Sequence, residues 1–165
     1  MYDYPQGYPS SGSDAFTLLQ SHPKLSIDDM KILALIEQSG EGFYMAIAKA
    51  ANNPEASSLL ERNGHEERGH AHRIVKALGL LGVKFSLPEI EKNPYHGALH
   101  FDAIDGAFLS MLQQTEIGGD HTYNIWADNE PNADVAKILR QNGSEETRHG
   151  ERVAKAQALL SAATH

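Results

Sequence analysis

Residues 63–70 read NGHEERGH, and residues 142–149 read NGSEETRH. Both copies contain a glutamate followed three residues later by a histidine: Glu67 with His70, and Glu146 with His149. Because residues three apart on a helix lie on one face, each pair presents a carboxylate and an imidazole to a common point. Two such pairs, joined by single glutamates from two other helices, form a two-metal carboxylate site inside a four-helix bundle. The rest of the chain should therefore supply two further helices, each with a glutamate.

An internal repeat with an offset of 79 positions supplies those glutamates. The offset maps His70 onto His149. It also relates three further pairs of identical residues: Glu37 and Glu116, Gly40 and Gly119, and Tyr44 and Tyr123. So many matches at one offset indicate two helix pairs that are related by an approximate two-fold axis.

The spacing of the four glutamates predicts that they lie at one height in the bundle. Glu37 and Glu67 are 30 residues apart, and their midpoint, position 52, falls at a predicted turn. Glu116 and Glu146 are also 30 residues apart, and their midpoint is Pro131, at a second predicted turn. In an antiparallel hairpin, residues equidistant from the turn lie side by side, here about 20 Å from it at ~1.5 Å per residue. The four carboxylates are therefore expected at mid-height, on the inward faces of the helices.

Helical spacing of the apolar residues predicts four long helices. They are expected at about residues 26–53, 54–82 and 101–129 and from Pro131 onward, with a long connection over residues 82–100. The predicted fold class is all-α, a four-helix bundle with one long crossover between helices 2 and 3, built from two repeated helix pairs. Residues 25–165 are expected to form this domain. Residues 1–24 are expected to be a flexible tail that carries a short helix.

Four carboxylates in an apolar core predict bound cations. Each would cost several kcal/mol if it were ionised and had no partner. Two divalent cations would neutralise the four charges, and two imidazoles would complete the ligand set, which is Glu37, Glu67, His70, Glu116, Glu146 and His149. Oxygen ligands with imidazole and without sulfur favour iron or manganese over zinc or copper. The competing interpretation is a helical interaction module whose acids pair with lysines and arginines on solvated faces.

Two motifs carry a resemblance to a known family. ExxGxxFY at residues 37–44 and EExxHA at residues 66–71 resemble the rubrerythrin branch of the ferritin-like diiron-carboxylate proteins, over roughly residues 26–160. The resemblance implies a ferritin-like bundle with a diiron centre on the same six ligands, bridged by Glu67 and Glu146. It also implies reaction of the reduced metals with dioxygen or peroxide. The chain departs from rubrerythrins in having no cysteine-ligated electron-transfer domain, and Gly119 where they carry an extra glutamate.

Other residues near the predicted ligands are candidates for supporting roles. Tyr44 and Tyr123 either hydrogen-bond ligand carboxylates, take part in electron transfer or are ordinary core tyrosines. Glu41 and Asp120 either swing towards the metals or stay in hydrogen bonds at the edge of the core. Four glycines, each one turn from a ligand glutamate, either leave space beside the metals or allow close helix packing: Gly40, Gly64, Gly119 and Gly143.

Composition argues against several other classes of protein. The 165 residues suit one domain with a substantial core. A net charge of −8 argues against a nucleic-acid partner. No apolar run reaches the ~20 residues of a membrane span, and the N-terminus lacks a signal-peptide pattern, so a cytoplasmic protein is expected. The absence of cysteine excludes disulfides, thiolate zinc sites and cysteine catalysis.

These observations lead to one leading hypothesis and one alternative. The leading hypothesis is an oxidoreductase with a non-haem centre of two iron ions that activates dioxygen or hydrogen peroxide. The alternative is a ferritin-like protein that oxidises and sequesters iron. The sequence does not identify the electron donor or an organic substrate, and it is compatible with a homodimer.

Overall fold

The computed structural model describes residues 4–97 and 99–162, and its regular structure over that part of the chain is entirely helical. Five α-helices occur: α1 Gly12–Gln20, α2 Ile27–Ala50, α3 Pro54–Leu80, α4 Gly106–Asn129 and α5 Ala133–Ala162. A single 3-10 turn, Ile90–Lys92, lies in the connection between α3 and α4. The predicted all-α class is confirmed, with four long helices and one short one.

The four long helices pack as two hairpins. Helix α2 packs along α3, and α4 packs along α5, while α3 and α5 bring the two hairpins together. Helices α2 and α4 are not among the pairs that pack closely. Helix α1 rests on α2, and residues 81–105 connect the hairpins. The bundle is therefore tight on its α3–α5 side and looser between α2 and α4.

Helices α2 and α3 begin where the sequence predicts. Ser26 and Asp29 form a capping box, in which each side chain accepts a hydrogen bond from the backbone N–H of the other. The Asn53 side chain caps α3, and Pro54 occupies its first turn, where a missing N–H costs nothing. Gly82 follows α3 with a φ of +76°, a backbone conformation that favours glycine.

Helices α4 and α5 begin later than the sequence predicts. Helix α4 starts at Gly106 and not at residue 101, because Asp105 caps it by accepting a hydrogen bond from the Phe108 N–H at 2.7 Å. Helix α5 starts at Ala133 and not at Pro131, because the Asn132 side chain accepts hydrogen bonds from the N–H groups of the two residues after Ala133. The side-chain caps therefore set both starts.

Residues 4–20, which precede α2, pack against the bundle. Helix α1 lies where the short helix was expected and buries Ala15 and Leu19. The Tyr8 hydroxyl donates a hydrogen bond of 2.7 Å to Asp29, and Tyr4 also packs against the core. These contacts hold residues 4–20 against the bundle in the structure, whereas the sequence predicts a flexible tail that carries a short helix. Residues 1–3 of the expected tail lie outside the described residues.

A polar layer divides the core into two apolar clusters. One cluster contains Leu33 and Trp126, and the other contains Leu60 and Val153. Along each long helix, a buried glutamate lies between residues of the first cluster and residues of the second. The carboxylates are therefore enclosed by apolar side chains on both sides. None of the described helices combines the length and the apolar character needed to cross a membrane.

Candidate metal centre

The structure brings all six predicted ligands together in this polar layer. The four glutamates are 5–7% exposed, and both histidines are fully buried. Two overlapping groups could each hold a metal ion: Glu37, Glu67, His70 and Glu146 in one, and Glu67, Glu116, Glu146 and His149 in the other. Within each group, one ligand atom per residue lies within 4.8 Å of the others. Glu67 and Glu146 belong to both groups.

The two imidazoles face the shared carboxylates through the same ring atom. His70 Nδ1 lies 3.1 Å from Glu146 and 3.3 Å from Glu37. His149 Nδ1 lies 3.1 Å from Glu67 and 3.3 Å from Glu146. The rings are stacked, with centroids 5.2 Å apart and planes 11° from parallel. Each histidine of one hairpin thus approaches a glutamate of the other hairpin.

One observation at this centre fits a cation better than a hydrogen-bond network. His149 Nδ1 is completely buried, yet among the described residues it has no partner in hydrogen-bonding geometry. Three carboxylate oxygens lie within 3.1–3.6 Å of it, but none makes a proper hydrogen bond. A buried nitrogen without a partner is costly. A metal ion between Nδ1 and these oxygens would satisfy all four atoms.

The outer nitrogen of His70 is held by a second carboxylate. His70 Nε2 lies 3.0 Å from Glu145, and Arg73 donates hydrogen bonds both to Glu145 and, at 2.6 Å, to Asn142. Burial alone would raise the pKa of Glu145, but the hydrogen bond from His70 and the charge of Arg73 outweigh it and hold the pKa at about 2. Glu145 is therefore ionised and suited to accept a hydrogen bond from the His70 Nε2–H, which leaves Nδ1 to face the glutamates.

His149 has the same arrangement in the other half of the repeat. His149 Nε2 lies 3.2 Å from Glu66, and Arg152 donates to both oxygens of Glu66 at 2.8 and 3.0 Å. Arg152 also donates to Asn63 at 2.8 Å. Burial again opposes ionisation, but the hydrogen bond and charge of Arg152 lower the pKa of Glu66. Both histidines are thus oriented by an ionised carboxylate that an arginine fixes.

Sequence analysis missed these outer carboxylates and arginines, although a signal for them exists. The offset of 79 positions that relates the ligands also relates three outer pairs: Glu66 and Glu145, Arg73 and Arg152, and Asn63 and Asn142. Each outer acid directly precedes one of the ligand candidates in the sequence. Each Glu-Glu pair therefore contains one carboxylate that contacts a histidine Nε2 and one that could bind a metal ion. Extending the repeat to every identical pair would have found the outer residues.

The two tyrosines connect the hairpins through hydrogen bonds to Glu37 and Glu116. Tyr44 donates a hydrogen bond of 2.5 Å to Glu116, and Tyr123 donates one to Glu37. Burial and the neighbouring carboxylates raise the pKa of both hydroxyls well above the usual value, so both keep their protons. Of the three roles considered for them, the structure shows buried tyrosines that hydrogen-bond ligand candidates.

Glu41 and Asp120 are not brought into the centre. Glu41 lies 3.2 Å from Arg68 and 3.6 Å from His65. Asp120 accepts hydrogen bonds from Thr147 at 2.5 Å and from Asn124 at 2.7 Å. Both acids therefore lie at the edge of the core with partners of their own, and the alternative in which they reach the metals has no support in this arrangement.

Two of the four repeated glycines allow close helix packing. A Cβ atom built on Gly64 would lie 3.1 Å from Tyr44 Cβ, and one built on Gly143 would lie 2.8 Å from Tyr123 Cβ. These approaches are within each hairpin, between α2 and α3 and between α4 and α5. A side chain at either position would push apart the helices that carry the ligands.

The other two glycines leave room for the shared carboxylates. A Cβ atom on Gly40 would lie 3.1 Å from both Cγ and Oε2 of Glu67, and one on Gly119 would lie 3.4 Å from Cγ of Glu146. Close helix packing is therefore shown at Gly64 and Gly143, while Gly40 and Gly119 lie against the side chains of Glu67 and Glu146. Gly40 and Gly119 also line a cavity that opens on the centre.

Burial and neighbouring groups shift the pKa of several side chains at the centre. Burial raises the pKa of Glu67 well above its usual range and that of Glu116 to about 8. Burial also opposes ionisation of Glu146, but the two nearby histidines outweigh it and lower the pKa of this carboxyl group. Burial opposes protonation of both histidines, but the neighbouring carboxylates outweigh it and raise the pKa of each. Without a metal ion, protons on acids and imidazoles therefore offset the negative charge of the centre. Two divalent cations would match four ionised carboxylates.

Replacing Glu145 by glutamine is expected to weaken metal binding by about 10- to 100-fold without removing a proposed ligand. The amide has the size of the carboxylate but lacks the charge that orients His70. Titration with Fe²⁺ against a competing chelator, under anaerobic conditions, measures the change. Glu151→Gln alters an exposed acid of the same helix and is the matched control. Unchanged affinity in Glu145→Gln would contradict the orienting role.

Comparison with known proteins does not supply a family. The chain matches no protein-family model, and searches of curated proteins and of solved structures found no match. A functional assignment therefore has to follow from the chemistry of the buried carboxylates and histidines.

Proposed function

We propose that this protein is a non-haem dimetal oxidoreductase that activates dioxygen or hydrogen peroxide at a carboxylate-bridged site. The observation that carries the proposal is the overlap of two ligand groups through Glu67 and Glu146. Two separate structural sites would not share ligands. Shared carboxylates keep two ions close enough to react with one small molecule, as in two-metal sites generally.

Iron is the metal that we propose, with manganese as the alternative. Each group offers three carboxylates and one imidazole, and the chain contains no cysteine. Such a donor set suits iron or manganese better than copper or a thiolate-bound zinc. When bound and reduced, a pair of iron ions would supply the electrons that dioxygen or peroxide accepts.

The residues of the chain would hold and shield that pair. Glu67 and Glu146 would bridge the ions, and the tyrosine hydroxyls would hold Glu37 and Glu116 in place as terminal ligands. The outer carboxylates would keep the Nε2 proton on each histidine, so that Nδ1 is free to bind. The apolar clusters on both sides of the layer would limit the access of bulk water.

Anaerobic loading with Fe²⁺ followed by rapid mixing tests the proposal. We expect about two ions per chain, and an absorbance change after mixing with dioxygen, with hydrogen peroxide or with both. The faster oxidant distinguishes an oxidase from a peroxidase. Many more ions per chain, together with a large native mass, would support the storage alternative. If two ions bind and neither oxidant reacts, the catalytic proposal fails.

A further inference from the structure

A cavity of ≈ 530 Å³ lies between α2 and α4 and ends at the candidate metal centre. Its floor includes the carboxylates of Glu37, Glu67, Glu116 and Glu146. It occupies the side of the bundle where the two helices do not pack closely. Its volume is within the range of about 300–1,000 Å³ that is usual for small-molecule sites in proteins.

The walls of the cavity above the glutamates are mainly apolar. Helix α2 contributes Ile36 and Phe43, and α4 contributes Phe108 and Leu112. The rings of Phe43 on α2 and Phe108 on α4 lie close together between these two helices, with centroids 6.4 Å apart. No lysine or arginine lines the cavity in the described part of the chain. An anionic ligand would therefore meet no lysine or arginine in the described walls and would face the four carboxylates of the floor.

Two segments outside the repeated hairpins help to enclose the cavity. Phe16 from α1, and Tyr95 and His96 from the connection between α3 and α4, belong to its lining. At its rim, Leu99 and Met111 are 47% and 61% exposed. Metal binding alone does not need these additional walls, since the six ligand candidates come from the four long helices. The walls instead suit a molecule larger than dioxygen or peroxide.

We infer that this cavity binds a neutral, mostly apolar organic molecule with one end against the buried carboxylates. Burial of apolar surface against the aromatic and aliphatic walls drives binding. The missing countercharge selects a neutral ligand over an alkanoate or a phosphate ester. The identification of this ligand as the substrate rests on the proposed function, whereas the binding site itself rests on the cavity alone.

Fluorescence of the neutral dye N-phenyl-1-naphthylamine tests the site. The dye brightens in apolar surroundings, and we expect saturable binding to the full chain, both metal-free and loaded with Fe²⁺ under anaerobic conditions. n-Decanol should displace the dye at a concentration at least about tenfold lower than decanoate does at a pH of about 8, where an alkanoate is ionised. Absence of saturable binding, or displacement by decanoate as readily as by n-decanol, would overturn the inference.

Substitutions that fill the cavity locate the bound dye. Thr115→Trp on α4 and Ser39→Trp on α2 place an indole at opposite walls, and we expect at least about tenfold weaker binding in one or both. Gln114→Trp, at an exposed neighbour that does not line the cavity, is the control and should bind as the wild type does. Wild-type affinity in both wall variants would place the dye elsewhere and overturn the inference.

The measurements separate failure of this inference from failure of the proposed function. Dye binding in a protein that takes up neither iron nor manganese would retain the binding site and reject the dimetal proposal. Iron uptake with oxidant reactivity, but without dye binding, would retain the dimetal proposal and reject the apolar ligand.

Discussion

Replacing Glu67 by glutamine is expected to reduce bound iron from about two ions per chain to nearly none. Glu67 belongs to both ligand groups, so its loss removes a charged oxygen ligand from each ion at once. Glu37 belongs to one group only, and Glu37→Ala should therefore leave about one ion per chain. Metal analysis after anaerobic loading and desalting measures both variants. Losing a charged ligand from each ion makes this the largest change in metal content that a single substitution should cause.

Two comparisons make this result specific to the shared position. Glu146→Gln should match Glu67→Gln, because Glu146 is the other residue common to both groups. Glu61→Gln changes an exposed acid on the same helix as Glu67 and should bind as the wild type does. If Glu67→Gln retained one tightly bound ion, Glu67 would be a ligand to a single metal, and the bridged arrangement would be wrong.

The convergence of the six ligand candidates could be predicted because each step follows from a local rule. Residues three apart share a helix face, and residues equidistant from a turn lie at one height. The turns themselves were visible in the sequence near position 52 and Pro131. An internal repeat then placed the two halves in equivalent positions. These rules do not depend on details of packing, so small errors in helix ends did not disturb them.

The helix starts were less predictable because competing local signals were present. Pro131 suits the first turn of a helix, yet the side chain of Asn132 caps α5 one residue later. Phe101 continued the apolar spacing of α4, yet Asp105 caps the helix and leaves Phe101 in the preceding connection, packed against the core. In both cases the start of the helix is set by a side chain that accepts hydrogen bonds from N–H groups of the first turn, and not by the apolar spacing or the proline.

The walls of the cavity could not be predicted because they depend on contacts between distant segments. Phe16 lies in the short helix that the sequence predicts within the tail, and Tyr95 lies in a long connection rich in proline and glycine. No periodicity relates either residue to the helices that they cover. Only the tertiary arrangement shows that both help to enclose the space between α2 and α4.

In the metal-free protein near pH 8, Glu116→Gln is expected to raise the free energy of unfolding by on the order of 1–3 kcal/mol. Burial raises the pKa of Glu116 from 4.5 to about 8. A carboxyl group whose pKa is higher in the folded state stabilises the fold below its unfolded pKa and loses that contribution as pH rises. Glutamine behaves like the protonated acid at every pH, so its advantage should be absent below about pH 4 and grow between pH 4.5 and 8.

A bound metal ion should reverse the sign of this stability difference. The ion is attracted to the negative charge of the Glu116 carboxylate, which burial disfavours when no metal is bound. Urea unfolding measures the free energy of unfolding of the wild type and of Glu116→Gln. The comparison is made at pH 4 and about pH 8, with and without Mn²⁺. With the ion bound, the glutamine variant should be the less stable protein, since it has lost a ligand. Glu61→Gln should change stability little in any of these conditions.

A metal-free Glu116→Gln that is less stable than the wild type at pH 8 would show that the Glu116 carboxylate stabilises the fold. A more stable variant that no longer binds the second ion would show that the protein retains a destabilising acid in its core because the metal centre requires it.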